Sequence, residues 1–520
     1  MSNCTQCVVR QPQGDAMSQT LAQGIEQAAT SAPEALAIEF EGEWFTWGQL
    51  AKVMSGLEAL LAGANLGKAT PVAMLMRNAP AMVAAALQVL KTERCVVTVN
   101  PFQGAEKIAA DLRQLRCAAI VAVEQDWALA QLREVARETG AMAVQVSLKP
   151  EPQVSALDGL DKPGTGPFHE PLNGTAVLML SSGTTGPAKR IKLPYKQLEQ
   201  SFARAAAYES NRPSSGTRAA RTPAILATPL VHIGGLYFSL DAVLAGRPIA
   251  LLEKFSVAEY CRVLKAHRPK AISLPPSAIR MLLDAAVDPE LFSSVIAVRA
   301  GSAPLLPELK SQFESTFKVP VLDVYGATEF AGAVAGWSLD DYRQFDKLKV
   351  GSVGRAQPGI ELRVVDGETG EPQPVGTKGV LEIRSLQSET KGWVRTTDLA
   401  ELDSDGFLYI RGRVDDAIIR GGFKVLPRDI EALLREHPAV QEACVVGLPD
   451  KRLGAVPAAA VELREGASAV SEAELTQFLR DKVVAYQVPT CLRIVPALPR
   501  TPSLKVSQHE VRQLLAAELA

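Results

Sequence analysis

The stretch of sequence that is most informative about the fold and function of this chain is Leu178-Met-Leu-Ser-Ser-Gly-Thr-Thr-Gly-Pro-Ala-Lys189. The apolar run Ala176–Leu180 predicts a buried strand that leads directly into a polar loop. Gly183 and Gly186 let backbone amides turn toward a ligand, because no Cβ stands in the way. The loop also supplies hydroxyl donors and a positive charge, from Ser181, Ser182, Thr184, Thr185 and Lys189. Such a concave loop predicts a site for a polyphosphate.

The spacing within this loop differs from that of a Walker A motif. That motif has four residues between its glycines, followed by Gly-Lys-Ser/Thr. Here two residues separate Gly183 from Gly186, and Pro187-Ala188-Lys189 follows. A P-loop kinase or ATPase is therefore disfavoured. Taken alone, the stretch favours an ordinary Ser/Thr/Gly turn, and the rest of the chain decides against that interpretation.

Length and composition narrow the class of protein. A chain of 520 residues is too long for one core, so we expect two or more domains. A hydrophobic fraction of 47% with 22% charged residues is typical of a soluble globular protein. The net charge of −2 gives no indication of nucleic acid or an anionic membrane as a partner. The longest apolar region, about 224–252, is interrupted by prolines, glycines and Asp241, so we predict no transmembrane helix.

The seven cysteines are scattered and odd in number. They form no disulfide framework, which favours a reducing cytosol as the location. Cys4 and Cys7 form a lone C-x-x-C pair without a second ligand pair, so we interpret their spacing as incidental.

Helical and strand-like patterns alternate along most of the chain. Met82–Lys91 has helical periodicity and precedes the strand-like run Cys95–Val99. Val257–His267 and Ala271–Leu274 repeat the same order. This alternation favours an α/β fold, with a large N-terminal domain of mixed sheets and flanking helices.

The pattern of the sequence changes near Arg413. The charged and aliphatic run Val414–Arg420 leads into a Gly421-Gly422 turn, and Pro427 suits the first turn of a helix. Ser471-Glu472-Ala473-Glu474 is a capping box that starts another helix. We therefore predict a small, mobile α+β domain over residues 413–520, after an N-terminal domain over residues 1–412.

Four further segments carry polar groups that suit nucleotide chemistry. The first follows an apolar run and places a hydroxyl and a carboxylate at a strand end. The last ends in a lysine within a proline-rich run. In chain order the segments are Tyr325-Gly-Ala-Thr-Glu329, Thr397-Asp398 with Gly406-Phe-Leu-Tyr-Ile-Arg-Gly-Arg413, Gly421-Gly-Phe-Lys424, and Leu498-Pro-Arg-Thr-Pro-Ser-Leu-Lys505.

Together with the loop at Ser181–Lys189, these segments resemble the adenylate-forming superfamily. That superfamily contains acyl- and aryl-CoA synthetases, adenylation domains and firefly-type luciferases. The resemblance covers roughly residues 20–510, and five motifs in the same order are far more specific than any one of them. It implies a large N-terminal domain, a small mobile C-terminal domain, and the coupling of a carboxylic acid to ATP. The products are an acyl-adenylate and pyrophosphate, and in most members a thiol then displaces AMP.

The resemblance also implies roles for the phosphate-binding residues. The loop of Ser181, Ser182, Gly183 and Gly186 would bind the nucleotide, with Thr184, Thr185 and Lys189 on the β- and γ-phosphates. Thr328 would contact the α-phosphate, and Glu329 would hold Mg²⁺, a hard cation that prefers oxygen ligands. A carboxylate that attacks a polyphosphate brings like charges together, so the catalysis should be electrostatic.

Further roles concern the nucleoside and the bond-forming step. Tyr325 and Gly326 would belong to the nucleotide site, and Asp398 would accept both ribose hydroxyls beside Arg413. Lys505 would bridge the substrate carboxylate and the α-phosphate, stabilising charge as the bond forms.

The second half-reaction would use another face of the small domain. Asp415 matches the hinge of the superfamily, and rotation there would move Lys505 away. The segment with Gly421, Gly422 and Lys424 would then approach the adenylate and deliver the pantetheine thiol of CoA.

The acyl pocket is implied in the same way. His232 resembles an aromatic gate, although a core histidine is nearly as good an interpretation. Gly301, Ser302 and Ala303 would form one wall and Gly332 another, where small residues leave room for an apolar tail. Members of the superfamily that activate amino acids place an aspartate near the positions of His232–Leu236 to hold the α-amine, and this chain has none there until Asp241, so an amino acid is disfavoured as the substrate. We therefore expect a fatty, aryl or alicyclic acid.

The chain departs from the superfamily at several positions. Ala188-Lys189-Arg190 stands where Pro-Lys-Gly is usual, and Thr396-Thr397-Asp398 where Thr-Gly-Asp is usual. Leu504 replaces the glycine that commonly precedes the late lysine, and Thr92-Glu93-Arg94 replaces a turn of small residues. No charged catalytic group is lost. Two rival hypotheses remain: an enzyme that loads a separate carrier protein, and a non-catalytic protein that binds ATP or acyl groups.

Overall fold

The structure is a computed structural model, and it describes residues 20–180, 190–209, 222–385, 392–414, 416–421, 423–467, 470–501 and 504–517. Several predicted site residues lie outside these ranges. They are the loop residues Ser181, Ser182, Gly183, Thr184, Thr185, Gly186 and Lys189, together with Asp415 and Gly422. Lys424 is described only by its backbone.

The helices alternate with strands along most of the described chain. In order they are α1 (Leu21–Thr30), α2 (Trp47–Gly63), α3 (Pro80–Lys91), α4 (Ala105–Leu115), α5 (Glu124–Trp127), α6 (Ala130–Thr139), α7 (Tyr195–Glu209), α8 (Ile233–Leu244), α9 (Val257–His267), α10 (Pro276–Asp284), α11 (Pro307–Phe317), α12 (Leu339–Phe345), α13 (Pro427–Arg435), α14 (Glu472–Arg480) and α15 (Gln508–Ala517). A 3₁₀ turn over Thr328–Phe330 belongs to the site.

The strands of the N-terminal part are β1 (Leu36–Phe40), β2 (Glu43–Thr46), β3 (Pro71–Leu75), β4 (Cys95–Val99), β5 (Ala119–Ala122), β6 (Met142–Ser147), β7 (Gln153–Ala156), β8 (Thr175–Leu180), β9 (Arg190–Pro194), β10 (Ala224–Leu226), β11 (Ile249–Leu251), β12 (Ala271–Leu274), β13 (Ala297–Ala300), β14 (Val321–Ala327), β15 (Gly332–Gly336), β16 (Arg355–Ala356), β17 (Ile360–Val365), β18 (Gly379–Ser385), β19 (Val394–Leu402) and β20 (Leu408–Arg413). Those of the C-terminal part are β21 (Ile418–Arg420), β22 (Phe423–Val425), β23 (Val440–Asp450), β24 (Gly454–Leu463) and β25 (Cys491–Val495).

The largest sheet has seven strands in the order β7-β6-β5-β3-β4-β8-β9. Its five central strands are parallel and the two edges are antiparallel. The central strands are buried on both faces because helices cover them, as the continuous apolar run Cys95–Val99 requires. The predicted phosphate loop connects β8 to β9, and the flanking residues Leu180 and Arg190 are paired across that hairpin.

Three further sheets complete the N-terminal part. Their orders are β10-β11-β1-β2, β12-β13-β14-β15-β16 and β17-β18-β19-β20. The second changes from parallel to antiparallel at β14, and the third is antiparallel throughout. Mixed sheets with flanking helices agree with the predicted fold class.

A smaller α+β unit follows, with the strand order β22-β21-β24-β23 and β25 parallel to β24. Pro427 occupies the first turn of α13, and Ser471 caps α14 in a reciprocal capping box with Glu474, as the sequence predicts. The prediction of a large N-terminal and a smaller C-terminal part is confirmed. The boundary between residues 412 and 413 stays a prediction.

The hydrophobic core is divided among several clusters rather than gathered into one. Separate clusters lie on the two faces of the seven-stranded sheet, around β12–β14, and within the C-terminal unit. None of the five cysteines that the structure describes forms a disulfide. Among the described helices, none combines the length and the apolar character that crossing a bilayer requires.

Candidate active site

The end of β14 brings Tyr325 to Asp398. The Tyr325 phenol donates a hydrogen bond of 2.5 Å to Asp398 Oδ2, on strand β19 of a different sheet. Burial raises the pKa of Tyr325 above its usual range, and the Asp398 carboxylate adds to that effect. Next to Tyr325, a side chain at Gly326 would place its Cβ 2.4 Å from Gly332 O. Only glycine therefore allows β14 and β15 to approach this closely.

Arg413 is held opposite Asp398 by strand pairing. The two residues face each other across the antiparallel strands β19 and β20. Arg413 Nη2 donates to Thr397 Oγ1 at 2.6 Å, and Asp398 N donates to Thr396 Oγ1 at 3.1 Å. Thr397, which stands where the superfamily usually has glycine, thus orients the guanidinium. A carboxylate and a guanidinium at one strand end suit a ribose with its adjacent phosphate.

The structure brings Lys505 from the C-terminal unit to this same place. Lys505 is partly buried, and its charge acts on both the Arg413 guanidinium and the His232 imidazole. Burial is the main cause that lowers the pKa of Lys505, and the positive charge of Arg413 lowers it further. Two cations held close together attract an anion, so this part of the site suits a phosphate or a carboxylate.

Leu504 adopts the conformation that glycine would adopt. Its φ is 62°, in the left-handed region that β-carbon-bearing residues seldom enter. The turn is closed by hydrogen bonds from Leu504 N to Thr501 O and from Thr501 N to Lys505 O, at 2.8 and 2.7 Å. The Leu504 side chain packs against the apolar cluster around β12–β14 of the N-terminal part. Leu504 therefore adopts a φ that glycine adopts readily, and its side chain adds a contact that glycine would lack.

His232 occupies the N-cap of α8 without capping it through its side chain. Its Nε2 is shielded from solvent and has no hydrogen-bond partner among the described residues. Burial lowers the pKa of His232 to about 4, and the charge of Lys505 contributes. The imidazole is therefore neutral at pH 7, with a ring nitrogen that a ligand group could pair with.

Thr328 and Glu329 form the 3₁₀ turn that follows β14. Gln197 Nε2, from α7, donates to Glu329 O at 2.7 Å and fixes the backbone of the turn. The Glu329 side chain is exposed, and within the described part of the chain no hydrogen bond or ion pair occupies its carboxylate. That oxygen donor fits a hard divalent cation such as Mg²⁺, with phosphate oxygens completing the coordination.

The residues predicted for the acyl pocket surround α8. An added Cβ at Gly234 would lie 4.0 Å from Ser302 Oγ, and one at Gly332 would lie 2.9 Å from Ser201 Oγ. Ser302 has a φ of 72°, and Gly301 has no room for a side chain beside Val324. Ala303 follows in the same turn and is partly buried.

Gly421 lies apart from this group. It has a φ of 57° in the β21–β22 hairpin, where its N–H donates to Leu453 O at 2.8 Å. Lys424 pairs through its backbone with Ile419 in the same hairpin. The hairpin carries exposed apolar side chains, including Ile419 and Phe423.

Several residues that contribute to the site escaped the sequence analysis. Gln197 holds the Glu329 turn, and Tyr237 packs against Gly332. Arg190, which directly follows the predicted phosphate loop in sequence, pairs with Asp111 at 2.6 Å and donates to Thr98 O. These contacts join residues from distant parts of the chain, so no local pattern announces them.

Comparison with known proteins agrees with this geometry. Residues 25–391 match the AMP-binding enzyme family, and residues 429–505 match the AMP-binding enzyme C-terminal domain. The 2-succinylbenzoate–CoA ligase of Bacillus velezensis is 30% identical over 513 residues, 95% of this chain and 98% of that protein. The sulfoacetate–CoA ligase of Cupriavidus necator is 32% identical over 499 residues, 90% and 92% of the two chains.

A solved structure shares the fold at lower identity. ATP-bound MatB from Rhodopseudomonas palustris superimposes with a TM-score of 0.79 and 23% identity, over 96% of this chain and 99% of that one. The family match covers well over half of the residues, and the relatives align along almost their whole length. The chain therefore belongs to the AMP-binding enzyme family, as an AMP-forming acid–thiol ligase of the CoA ligase type.

Proposed function

We propose that this protein activates a carboxylic acid with ATP and transfers the acyl group to CoA. The first step releases pyrophosphate and leaves an acyl-adenylate, and the second releases AMP and a thioester. The observation that carries the proposal is the position of Lys505, which comes from the C-terminal unit and lies within electrostatic range of Arg413 and His232. A lysine buried beside another cation is costly unless an anion joins them, and the reacting carboxylate and α-phosphate are such anions.

The nucleotide would be held at the ends of three strands. Asp398 would accept the ribose hydroxyls, because its carboxylate is oriented by Tyr325 and keeps an oxygen for a second partner. Arg413 and Thr328 would contact the α-phosphate, and the loop of Thr184, Thr185 and Lys189 would hold the β- and γ-phosphates. Glu329 would bind Mg²⁺, which when present neutralises phosphate charge.

Lys505 would act at the bond-forming step itself. The substrate carboxylate and the α-phosphate repel each other as they approach, and a cation between them lowers that cost. The partly buried position matters because a charge shielded from water interacts more strongly than an exposed one. Electrostatic alignment of two anions is thus the main contribution of this side chain.

The second step requires a different surface. Gly421 and Lys424 lie in a hairpin that is separate from the cluster around Lys505. A rotation near Asp415 would exchange the two surfaces at the adenylate, so that the thiol of CoA can enter. Alternation of this kind keeps the two sets of residues from competing for one space.

For the acid, we propose a fatty, aryl or alicyclic substrate. Beside α8, a Cβ added at Gly234 would come no closer than 3.5 Å to a neighbouring atom, which leaves space for a substrate next to Ser302, and such pockets are mostly apolar. The relatives are named for acids as different as 2-succinylbenzoate and sulfoacetate, so the family does not fix the acid. A cytosolic location stays a prediction from the cysteines.

The direct test is pyrophosphate release with Mg-ATP over a panel of acids, each with and without CoA. Acid-dependent release that CoA accelerates, with a thioester product, is the expected result. Pyrophosphate release without a thioester product would favour a separate carrier protein as the acyl acceptor. Nucleotide binding without release for any acid would support a non-catalytic binding protein instead.

A further inference from the structure

Arg204 is a buried cation for which no described residue provides an anionic partner. Its side chain lies on α7 and the residue is 6% exposed. With the described residues it makes one long hydrogen bond of 3.4 Å, from Nη1 to Ser385 Oγ, and its Nε has no partner among them. Burial lowers the pKa of Arg204, although an arginine stays charged at pH 7. A buried charge without a counter-ion is strongly unfavourable, so such a residue is expected to have a function.

Other shielded arginines in the described chain differ from Arg204 in this respect. Arg94 is buried and pairs with Glu58 at 2.6 Å. Arg355 and Arg435 also have an Nε without a partner, but each pairs through Nη1 with a carboxylate, at 2.8 and 2.9 Å. Among the described residues, Arg204 has no carboxylate within ion-pair distance. The missing partner is therefore specific to this position.

The face of α7 that carries Arg204 runs along the reacting end of the site. Gln197, Ser201 and Arg204 are spaced so that they fall on one helical face. Gln197 holds Glu329 O, and Ser201 lies where a Cβ on Gly332 would collide. Arg204 is one turn further on. Two helical turns, about 10 Å, thus separate the Glu329 end of this face from Arg204.

Helix α8 contacts this face of α7, and it also borders the predicted acyl pocket. Tyr237, on α8, donates to Ser201 O at 3.3 Å and interacts electrostatically with Arg204. Gly234 falls on the same side of α8 as Tyr237 and faces Ser302. The Tyr237 ring stacks on Phe202 at 4.7 Å between centroids, which fixes its orientation. The side of α8 that carries Gly234 and Tyr237 therefore connects the predicted acyl pocket with Ser201 and Arg204 on α7.

Charged groups of both signs act on Tyr237. Burial raises the pKa of Tyr237 to about 12, and Asp241 also raises it. The hydrogen bond with Ser201 and the charges of Arg204 and Arg299 act in the opposite direction. Two arginines and one carboxylate thus act on one phenol at this end of the pocket. Within the described residues Arg204 has no carboxylate at ion-pair distance, so a second anion on the substrate would supply its missing counter-ion.

We propose that the substrate acid carries a second anionic group, a carboxylate or a sulfonate, which binds Arg204 at the far end of the acyl pocket. The proposal rests on the proposed function, because it names the class of acid that this same site activates. One carboxylate would react near Lys505, and the other anion would pair with the guanidinium. Arginine suits this role because its planar donors bind a carboxylate or sulfonate in a fixed geometry.

The physical consequence is strong discrimination against neutral tails. An acid without the second anion would bury Arg204 with no partner, and a buried polar group left unpaired rejects the wrong substrate far more effectively than a missing methylene does. We expect a preference of about 100-fold or more in kcat/KM.

The test uses matched acids on the full-length protein. Glutarate, adipate, suberate and isophthalate are compared with their monomethyl esters, and 3-sulfobenzoate with benzoate, by pyrophosphate release with Mg-ATP. We expect the dianionic member of a pair to be preferred, and the length series to identify the spacing. Comparable turnover of both members, or preference for the ester, overturns the proposal while leaving the ligase activity intact.

Arg204→Gln provides the decisive variant. It should remove the preference for the dianion while the neutral partner is turned over as well as before or better. An equal loss for both members of each pair would show a structural role and contradict the proposal. Arg343→Gln is the control, because Arg343 is exposed on α12 and its one ion pair with a described residue is that with Asp340. It should leave every rate unchanged.

A binding measurement separates this inference from the proposed function. Thermal unfolding is followed with each dianion in the absence of ATP. We expect the preferred dianion to stabilise the wild type and not Arg204→Gln, whether or not pyrophosphate is released. If no dianion stabilises the wild type more than the variant, the anion site is wrong. If stabilisation is seen without release, the anion site stands and the proposed ligase activity fails.

Discussion

The Tyr325 phenol and the Asp398 carboxylate are joined by a hydrogen bond of 2.5 Å across the ends of β14 and β19. The bond connects two different sheets, one reached through the parallel strands β12–β14 and the other antiparallel throughout. The bond fixes the orientation of the Asp398 carboxylate, which we assign to the ribose, because holding Oδ2 also fixes the direction of the other carboxylate oxygen. The ribose site is thus built by the junction of two sheets.

This relationship predicts the behaviour of Tyr325→Phe. The ring and its packing are kept, but Asp398 loses its orienting partner, and a hydrogen bond to a charged group contributes about 1.5–3 kcal/mol. We expect KM for ATP to rise about 10-fold or more, with KM for the acid little changed. Steady-state kinetics with each substrate varied in turn measures both.

A matched control is available on the same sheet. Tyr409 donates to Asp403 at 3.4 Å, away from the proposed site. Tyr409→Phe should leave KM for ATP unchanged. Equal effects of the two substitutions would assign the Tyr325 result to general destabilisation rather than to ribose binding.

Lys505 gives a prediction for the two half-reactions. Lys505→Ala should lower the adenylation rate by about 10²-fold or more, because a preorganised charge at the reacting atoms is lost. Thioester formation from supplied acyl-adenylate should be largely spared. Pyrophosphate exchange and single-turnover thioester formation measure the two steps. Lys482→Ala, at an exposed ion pair with Glu436 in the same unit, is the control. Equal loss in both steps would remove Lys505 from its assigned role.

Much of the fold could be predicted because local patterns decide it. Cys95–Val99 and Ala271–Leu274 are strands over the predicted bounds, since their apolar runs are fully or largely buried in parallel sheets. Pro427 and Ser471 mark helix starts through the fixed φ of proline and through a side-chain cap. These signals are local, so tertiary context does not change them.

The assembly of the site could be predicted only through motif order. Tyr325, Asp398 and Lys505 are far apart in the chain, and the sequence around each of them does not indicate that they lie close together in the fold. Their encounter depends on how β14, β19 and the turn at Leu504 are placed in three dimensions.

Arg204 could not be predicted at all from its surroundings. An arginine in an amphipathic helix is most simply interpreted as exposed, and only the packing of α7 reveals its burial. The same holds for Arg190, whose partner Asp111 is distant in sequence. Charge burial is a tertiary property, so a single sequence does not report it.

His232 predicts a pH dependence of stability. Its folded pKa of about 4 lies below the ordinary value of 6.5, so between these values the unfolded chain binds the additional proton. Stability is therefore lost as pH falls from 6.5 toward 4, and at pH 5 the loss is about 2 kcal/mol. Above pH 6.5 this residue contributes no dependence.

The measurement is urea unfolding of the wild type and His232→Gln at pH 7 and pH 5. Glutamine keeps a polar group but does not titrate, so the variant should lose about 2 kcal/mol less between the two pH values. All other titrating groups are shared and cancel in the difference. The same pH dependence in both proteins would show that His232 is not buried in the neutral form.

Leu504 offers a prediction in which strain and packing oppose each other. A side chain at a φ of 62° costs about 1 kcal/mol relative to glycine. The same side chain packs against the N-terminal cluster around β12–β14, and burying it contributes about 1–2 kcal/mol. Leu504→Gly removes both terms, so thermal stability should change little. Leu504→Ala loses the contact but keeps the strain, so it should be the less stable of the two variants.

The two half-reaction rates of these Leu504 variants separate the role of the packing contact from that of the backbone strain. The contact with the N-terminal part holds Lys505 near Arg413, so both variants should slow adenylation several-fold. The rotation that we propose for the second step would release that contact, so thioester formation from supplied acyl-adenylate should be unchanged or faster in both. Thermal unfolding and the two half-reaction rates measure these expectations. Adenylation at the wild-type rate in Leu504→Ala would show that the backbone turn alone positions Lys505, because then the leucine side chain contributes nothing that the reaction requires.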